Sequence, residues 1–329
     1  MERWTLPKEN QQLEACETFE QVCTALIDGK LVAVPTETVY GLAADATNGE
    51  ACARIYEAKG RPSFNPLISH VESLEAAEKH GVFCDAARML AEAFWPGPLT
   101  IVVPKAASCT VSDLATAGLD SVALRVPDAP VMQKLAERIG RPLAAPSANL
   151  SGKISGTTAD DVIADLERSL AFIIDNGPTT IGVESTIVSF LGPRPTLLRP
   201  GGLEREKIEA LLGQSLATAG TDDSAPRAPG MLTSHYAPSS GVRLNAVEVK
   251  EGETLITLGD TYTAGQENAR SIINLSESGC LREAAANLFT ALRKADAGES
   301  SMIAVVPVPV EGLGEAINDR LARAAAPRG

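Results

Sequence analysis

Four short polar clusters interrupt an otherwise apolar, alternating sequence, and each falls at the end of an apolar run. Pro35-Thr36-Glu37-Thr38-Val39-Tyr40-Gly41 brings together two hydroxyls, a phenol and a carboxylate after a strand expected near the sheet centre. Such groups orient a small polar ligand, although a capped turn uses threonines in the same way. Lys59-Gly60-Arg61-Pro62-Ser63-Phe64-Asn65-Pro66 sets two cations about a glycine at a helix end. They either complement the helix dipole, at ~0.3–1 kcal/mol, or form a phosphate clamp, with lysine as point charge and arginine as planar fork. Pro146-Ser147-Ala148-Asn149-Leu150-Ser151-Gly152-Lys153 ends a strand in hydroxyl, amide and backbone N–H groups. These can cradle phosphate oxygens or build a plain Ser/Asn turn. The fourth cluster joins Gly182-Val183-Glu184-Ser185-Thr186 to Leu198-Arg199-Pro200-Gly201-Gly202. Arg199 there closes a strand beside a glycine pair and reaches either a cleft or solvent.

Two further features bear on the chemistry. The stretch 229–238 carries Met231, Leu232, His235 and Tyr236 inside a Pro- and Ser-rich linker. Apolar and aromatic residues there predict a segment that docks on a domain, as a lid or by simple packing. His70 ends a strand and is expected to face the same cleft as Thr36, whereas His80, beside Lys79 at a helix end, is expected at the surface.

Missing motifs narrow the chemistry. The P-loop G-x-x-x-x-G-K-[ST], the G-x-G-x-x-G fingerprint, G-x-S-x-G and H-E-x-x-H are all absent from the sequence, so a nucleotide site must have another design. The 329 residues carry a net charge of −13, which argues against coating nucleic acid by bulk charge. A small polyanion pocket would need its cations concentrated locally against that field. Six cysteines without a C-x-x-C pair and three histidines make a structural zinc site unexpected. The cysteines read mostly as small buried hydrophobes in a reducing compartment. No apolar run approaches the ~18 residues of a membrane span, and the N-terminus has no apolar signal core, so a cytoplasmic protein without membrane association is expected.

The elements that must hold these clusters follow from apolar spacing. Phe19, Val22, Cys23, Leu26 and Ile27 form a helical stripe ending before Gly29. Residues 31–35 read as a buried strand, and Asn48 caps a helix that stops at Gly60. Further strands are expected at 66–71, 99–104, 121–127, 142–146 and 171–175, with helices at 72–80, 85–94, 129–139 and 158–169. The last opens with Thr158 and Asp161, close to a capping box. A late hairpin precedes a helix at 203–212. This alternation favours an α/β domain with a mixed sheet over 1–212. Residues 213–240 read as an interdomain linker. Residues 241–329, with strands in TLITLG, SIINLS and SMIAVVPV and helices at 281–295 and 313–325, form a smaller α/β domain.

In order, P-T-E-T-V-Y-G-L, K-G-R-P, F-W-P-G-P-L-T, L-R-V-P, P-S-A-N-L-S-G, G-V-E-S-T-I-V and L-R-P-G closely resemble the YrdC-like domain of the threonylcarbamoyl-AMP synthase family. The P-G-M…S-H-Y-A-P linker and the C-terminal domain resemble that family's long form, so the likeness covers nearly the whole chain. It implies a twisted mixed sheet around a deep cavity, plus a Rossmann-like three-layer C-terminal domain. It implies synthesis of L-threonylcarbamoyladenylate and diphosphate from L-threonine, bicarbonate or CO2 and ATP, for threonylcarbamoyladenosine in tRNA next to the anticodon. By motif, Lys59, Arg61, Ser147, Asn149 and Ser151 fall at the nucleotide, with Lys59 and Arg61 catalytic. Arg199, His235 and Tyr236 reach the same nucleotide. Thr36, Thr38, Tyr40, His70 and Ser185 are assigned to threonine and carbamate, and residues 213–240 to a cover over the site. Mg2+ held mostly by ATP, a downstream tRNA threonylcarbamoyl transferase and a weak RNA contact complete the expectation. The alternatives are a carbamoyltransferase-related enzyme, which the missing zinc-finger cysteine pairs oppose, and an RNA- or nucleotide-binding module, which the net charge opposes.

Overall fold

A computed structural model describes residues 1–6, 13–218, 236–298 and 300–327. In the first domain the strands are β1 (Glu2–Thr5), β2 (Val32–Val34), β3 (Gly41–Asp45), β4 (Ile68–His70), β5 (Leu99–Pro104), β6 (Ser121–Arg125), β7 (Leu143–Ala144), β8 (Phe172–Asp175), β9 (Thr186–Ser189), β10 (Thr196–Arg199) and β11 (Ala217–Thr218). Among the described residues they form one mixed sheet, ordered β1-β8-β2-β3-β7-β4-β6-β5-β9-β10-β11. The helices are α1 (Glu17–Ile27), α2 (Gly49–Lys59), α3 (Leu74–Glu78), α4 (Asp85–Phe94), α5 (Pro130–Ile139), α6 (Ala159–Leu166) and α7 (Arg205–Leu212).

Period-two alternation sorts the strand side chains into two layers. Ala33, Leu42, Ala44, Ile101, Val103 and Leu124 join the core with residues of α2, α4 and α6. Val32, Val34, Ala43, Leu143 and Ile174 pack under α1 and α5. Ile68, Val102, Ala123, Ile187 and Leu198 make a separate small apolar cluster on β4, β6, β5, β9 and β10. That cluster forms a floor beyond the cover of α1 and α5, and the polar clusters converge above it.

Local chemistry fixes where the cations stand. The Asn48 carboxamide accepts from the Glu50 and Ala51 N–H groups, starting α2, and Gly60 ends it in the left-handed region with φ 58°. Lys59 and Arg61 therefore flank the helix end. The Thr158–Asp161 pair forms a full capping box on α6.

The second domain holds β12 (Gly241–Arg243), β13 (Thr254–Thr257), β14 (Ser271–Asn274) and β15 (Met302–Val305), a parallel sheet in the order β12-β15-β13-β14, with α8 (Leu281–Asp296) and α9 (Leu313–Ala325). The helices cover Ile256, Ile303 and Val305, while Ala246 and Val249 of a connecting segment cover Leu255 and Ala304. The α8–α9 core runs on into Val39, Ile154 and Val183 of the first domain. At that junction a Cβ on Gly182 would lie 2.4 Å from Ala285 O and from Ala286 Cα, so only glycine admits this approach of α8.

Several expectations need correction. β2 lies third from one edge of its sheet, not near the centre, because β1 and β8 add outside it. Strands β1, β3, β11 and β12 carry no strong apolar signal; β3, Gly-Leu-Ala-Ala-Asp, is a strand of small residues paired to β2. His80 is buried, and its Nδ1 faces the Thr110 N–H at 3.5 Å. Of the cysteines only Cys23 and Cys52 are buried; Cys84 and Cys280 are exposed at helix N-caps.

Candidate active site

The cavity over the β4–β6 floor is walled by the Thr38–Val39 segment, Arg61, His70, Arg125, the Ala145–Ser147 segment, Glu184, Ser185, Arg199 and Tyr236. Its volume is about 40 Å³, room for water only. Each wall group has an assignable support. His70 and Arg125 end the parallel strands β4 and β6 in register with one another. Arg125 reaches three neighbours: Nε donates to Gly97 O at 3.1 Å, Nη1 to Thr38 Oγ1 at 3.1 Å, and Nη2 stands 2.7 Å from Glu37 Oε1. Thr38 in turn shares a 2.8 Å hydrogen bond with Thr36, whose hydroxyl also donates to Val39 O. Arg199 donates through Nε and Nη2 to Ser185 O at 3.1 and 2.9 Å, and through Nη2 to Ser185 Oγ at 3.2 Å. Ser185 Oγ is 2.8 Å from Thr100 Oγ1. Arg61 is held along its own loop by Asn65 O and Pro66 O.

Behind this wall Lys59 Nζ donates to Ser147 O at 2.5 Å and also to Asn149 O. It thereby ties the end of α2 to the Ser-Ala-Asn loop. The Asn149 carboxamide donates to Leu150 O and Lys153 O and shapes the following turn. Ser151 donates its backbone N–H to Lys59 O.

Charge is concentrated here. Lys59, Arg61, Arg125, Arg199 and Arg320 are all buried, facing two buried carboxylates, Glu37 and Glu184. Burial, and then the neighbouring Arg61, push Lys59 well below the usual lysine value. Burial pushes Arg61 down to about 10, so it stays charged at neutral pH, and burial also lowers Arg199. Burial would raise Glu184, but Arg320, Arg199 and a hydrogen bond from Ser155 together hold it at about 2. The excess of buried cation over carboxylate is an environment for an anion.

Burial, and then Arg125, push His70 down to about 3. Its imidazole is therefore neutral in the fold, with Nδ1 buried and unpaired among the described residues. In the unfolded chain His70 titrates near 6.5 and Glu184 near 4.5. The unfolded state then binds the extra protons, so stability falls as pH drops from 6.5 toward 3 through His70 and from 4.5 toward 2 through Glu184. Denaturation midpoints should decline as pH is lowered from neutrality, and His70→Gln should flatten the first part of that decline. An unchanged slope in the variant would remove the neutral-imidazole assignment.

Of the residues assigned from the sequence, Thr38, His70, Arg61, Ser147, Ser185, Arg199 and Tyr236 meet at the cavity. Lys59 and Asn149 stand immediately behind it, and Ser151 follows in the same turn. Two of the assigned residues lie outside this wall. Thr36 lines a neighbouring cavity with Glu37, Asn176 and Thr179, so it does not share a cleft with His70. Tyr40 turns away because β3 begins there, and its hydroxyl donates to Gly177 O at 2.8 Å. His235 lies outside the described residues. Arg125 and Glu184 stand inside the L-R-V-P and G-V-E-S-T motifs without an assigned role, and Arg320 stands in no motif. A signal existed for the first: an arginine in the apolar run Ser-Val-Ala-Leu-Arg-Val needs a buried partner.

Comparison with known proteins agrees across the chain. A family model described as "Telomere recombination" matches residues 24–201, and one described as "Threonylcarbamoyl-AMP synthase, C-terminal domain" matches residues 203–326. A threonylcarbamoyl-AMP synthase of Bacillus subtilis (strain 168) is 39% identical over 99% of this chain and 98% of its own length. That of Pyrococcus abyssi (strain GE5 / Orsay) is 43% identical over 90% of this chain and 91% of its own. The crystal structure of a Pyrococcus abyssi protein complexed with L-threonine superposes with a TM-score of 0.86 at 38% identity, covering 98% of this chain and 97% of that one.

Proposed function

Because this chain belongs to the threonylcarbamoyl-AMP synthase family, we propose that it converts L-threonine, bicarbonate or CO2 and ATP into L-threonylcarbamoyladenylate and diphosphate. The product serves threonylcarbamoyladenosine formation in tRNA. The observation that carries the reading is the meeting of three buried guanidinium groups, Arg61, Arg125 and Arg199, with Thr38, His70 and Ser185 on one cavity.

The chemistry asks for those groups. Threonine must lose an ammonium proton so that its nitrogen can add to the carbon of CO2. A carbamate oxygen then attacks the α-phosphorus of ATP, and diphosphate leaves. Charge spreads over the phosphoryl oxygens, and fixed donors in a dry site lower that barrier. We assign Arg61 and Arg199, with Lys59 and the Ser147–Ser151 loop, to the nucleotide. A polyphosphate beside Lys59 would restore the full charge that burial now disfavours. Thr38, His70, Arg125 and Ser185 are assigned to threonine and carbamate. Arg125 suits a carboxylate as a planar fork, and neutral His70 can accept a hydrogen bond from nitrogen.

Mg2+ is expected to screen the phosphates. Among the described residues no group of three His, Cys, Asp or Glu side chains could hold a metal, and Glu184 is engaged by Arg320 and Ser155. That donor set fits an ion carried by ATP and water.

Tyr236, the first described residue after the linker, stands in the cavity wall. We read residues 1–212 as the catalytic domain, 213–240 as a segment that covers the site, and 241–329 as the domain that carries the cover. Covering the site keeps water from an unstable carbamate. A downstream tRNA threonylcarbamoyl transferase is the expected acceptor of the adenylate, with at most a weak RNA contact given the net charge of −13. No helix among the described residues is long and apolar enough to cross a membrane, and a cytoplasmic location fits these substrates.

The test is diphosphate release by the purified protein with ATP, Mg2+ and bicarbonate, with threonine present or omitted. Release should require both threonine and bicarbonate and yield the adenylate by mass spectrometry. Release driven by another carbamoyl donor would point to a carbamoyltransferase. Tight ATP or RNA binding without turnover would point to a binding module.

A further inference from the structure

Helix α9 buries an arginine on its apolar face. Leu313, Ala316, Ile317, Leu321 and Ala324 make the stripe that packs into the second domain, and Arg320, with no exposed surface, stands among them. A guanidinium in such a place is costly unless it is paired and hydrogen-bonded. Its own domain offers one partner in the sequence next to it, Asp319 Oδ2 at 2.5 Å from Nη1. The other nitrogens are satisfied by the first domain: Nε donates to Glu184 Oε2 at 2.7 Å and Nη2 to Pro200 O at 3.0 Å. Its Cζ lies 5.3 Å from the ring centre of Tyr236, which stacks on Phe289 of α8 at 5.3 Å between ring centres.

Each of these partners is a neighbour in sequence or space of a cavity group. Glu184 lines the cavity and precedes Ser185, whose carbonyl and hydroxyl hold Arg199. Pro200 follows Arg199, and Tyr236 is itself part of the wall. From this geometry we infer that Arg320 is a positioning residue of the adenylation site, delivered by the second domain. It holds Glu184, the Arg199–Pro200 strand end and Tyr236 in one arrangement. The second domain is then a component of the active site and not only a support for the linker. This rests on the proposed synthase activity.

The arrangement sets the direction of the effect. Glu184 is faced by Arg320 from α9, by Arg199 from β10, by Ser155 Oγ at 2.6 Å, and more remotely by Lys59 and the Tyr236 hydroxyl. Without Arg320 the nearest remaining cation is Arg199, so the orphaned carboxylate draws Arg199 away from the nucleotide. Neutralising both members of the pair removes that competition. The domains have other fastenings: Arg293 donates to Ile154 O and Asp165 Oδ2, and Arg205 pairs with Glu315. Loss of Arg320 alone should therefore leave them docked.

The experiment is a double-mutant cycle on the full chain, read by steady-state diphosphate release. Arg320→Met should lower kcat on the order of 100-fold, the scale of a misplaced catalytic group, with a smaller change in the KM for threonine. Glu184→Gln combined with Arg320→Met should recover kcat to within about 10-fold of wild type, as expected when a buried charge is no longer left unpaired. Arg320→Lys, which can pair with Glu184 but cannot also span Pro200 O and the Tyr236 ring, should fall between. A wild-type kcat in Arg320→Met would overturn the proposal. So would a double variant no better than the worse single one; because a merely structural pair would also regain stability when both charges are removed, kcat is taken per folded protein, with thermal unfolding of each variant measured beside it. If Arg320→Met does not fold, Arg320→Lys decides: wild-type turnover in it overturns the proposal. Turnover by the wild-type chain tests the synthase reading separately, because only ratios between variants bear on Arg320.

Discussion

Arg61→Ala is expected to reduce diphosphate release on the order of 10³-fold, the loss seen when a fixed donor to a transferring phosphoryl group is removed, while the fold survives. Arg61 follows the left-handed cap of α2, and among the described residues its side chain bonds to carbonyls of its own loop, Asn65 O and Pro66 O. Nothing in the sheet depends on it. Its guanidinium is held at the cavity wall, opposite Arg199 and Tyr236, before any substrate arrives. That preorganisation is what lowers a phosphoryl-transfer barrier, because no reorientation is needed when charge develops. Lys59→Ala should be equally inactive but less stable, since it leaves Ser147 O and Asn149 O without their shared donor. Thermal unfolding separates the two effects: Arg61→Ala should melt near wild type and Lys59→Ala below it. Turnover of Arg61→Ala within tenfold of wild type would end its assignment to the phosphates.

Gly201→Ala is the substitution expected to damage both fold and site most for the fewest added atoms. A Cβ at Gly201 would lie 2.3 Å from Glu184 O, 2.4 Å from Ser185 C and 2.4 Å from Thr186 N. All three are backbone atoms, so none can swing aside as a side chain could. They lead into β9, which starts at Thr186 and pairs with both β5 and β10. Relief therefore means displacing Ser185, and with it the two carbonyl contacts of Arg199. Overpacking of this kind costs about 1–3 kcal/mol or more, and an ångström of displacement at a reacting centre costs on the order of 100-fold in rate. A fall of several degrees in Tm together with loss of turnover is the expected pair of readings. The neighbouring Gly202 contacts side chains of Ile181 and Pro98 instead, so Gly202→Ala should be the milder change. A stable, active Gly201→Ala protein would show that this approach is looser than the geometry gives.

How far the site was legible before folding differs by residue. The position of Lys59 and Arg61 at a helix end is legible because capping is local: Asn48 and Gly60 fix the ends of α2 from within a dozen residues. Thr38, His70, Ser185 and Arg199 were found as polar residues at the ends of apolar runs. Thr36 and Tyr40 belong to the same motif but point elsewhere. The chain reverses into β3 immediately after Tyr40, and the Thr36 hydroxyl is consumed inside its own turn. A motif identifies a segment, and only the backbone path decides which of its side chains line the cavity. The apolar run marks Arg125 as needing a buried partner but not which one, because Glu37, Thr38 and Gly97 lie on other segments.

Spacing along the chain sets the alternation of helix and strand, the caps, the two α/β domains and the set of polar clusters. Each of those depends on spacing and on interactions among residues a few positions apart. Tertiary structure alone decided the strand order, the open stretch of sheet that became a cavity floor, and the pairing of Arg320 with Glu184 across 136 residues. Apolar periodicity says that a strand has two faces but not which layer covers each. Charge neutralisation in a low-dielectric interior depends on distance in space, which the order of residues along the chain does not contain.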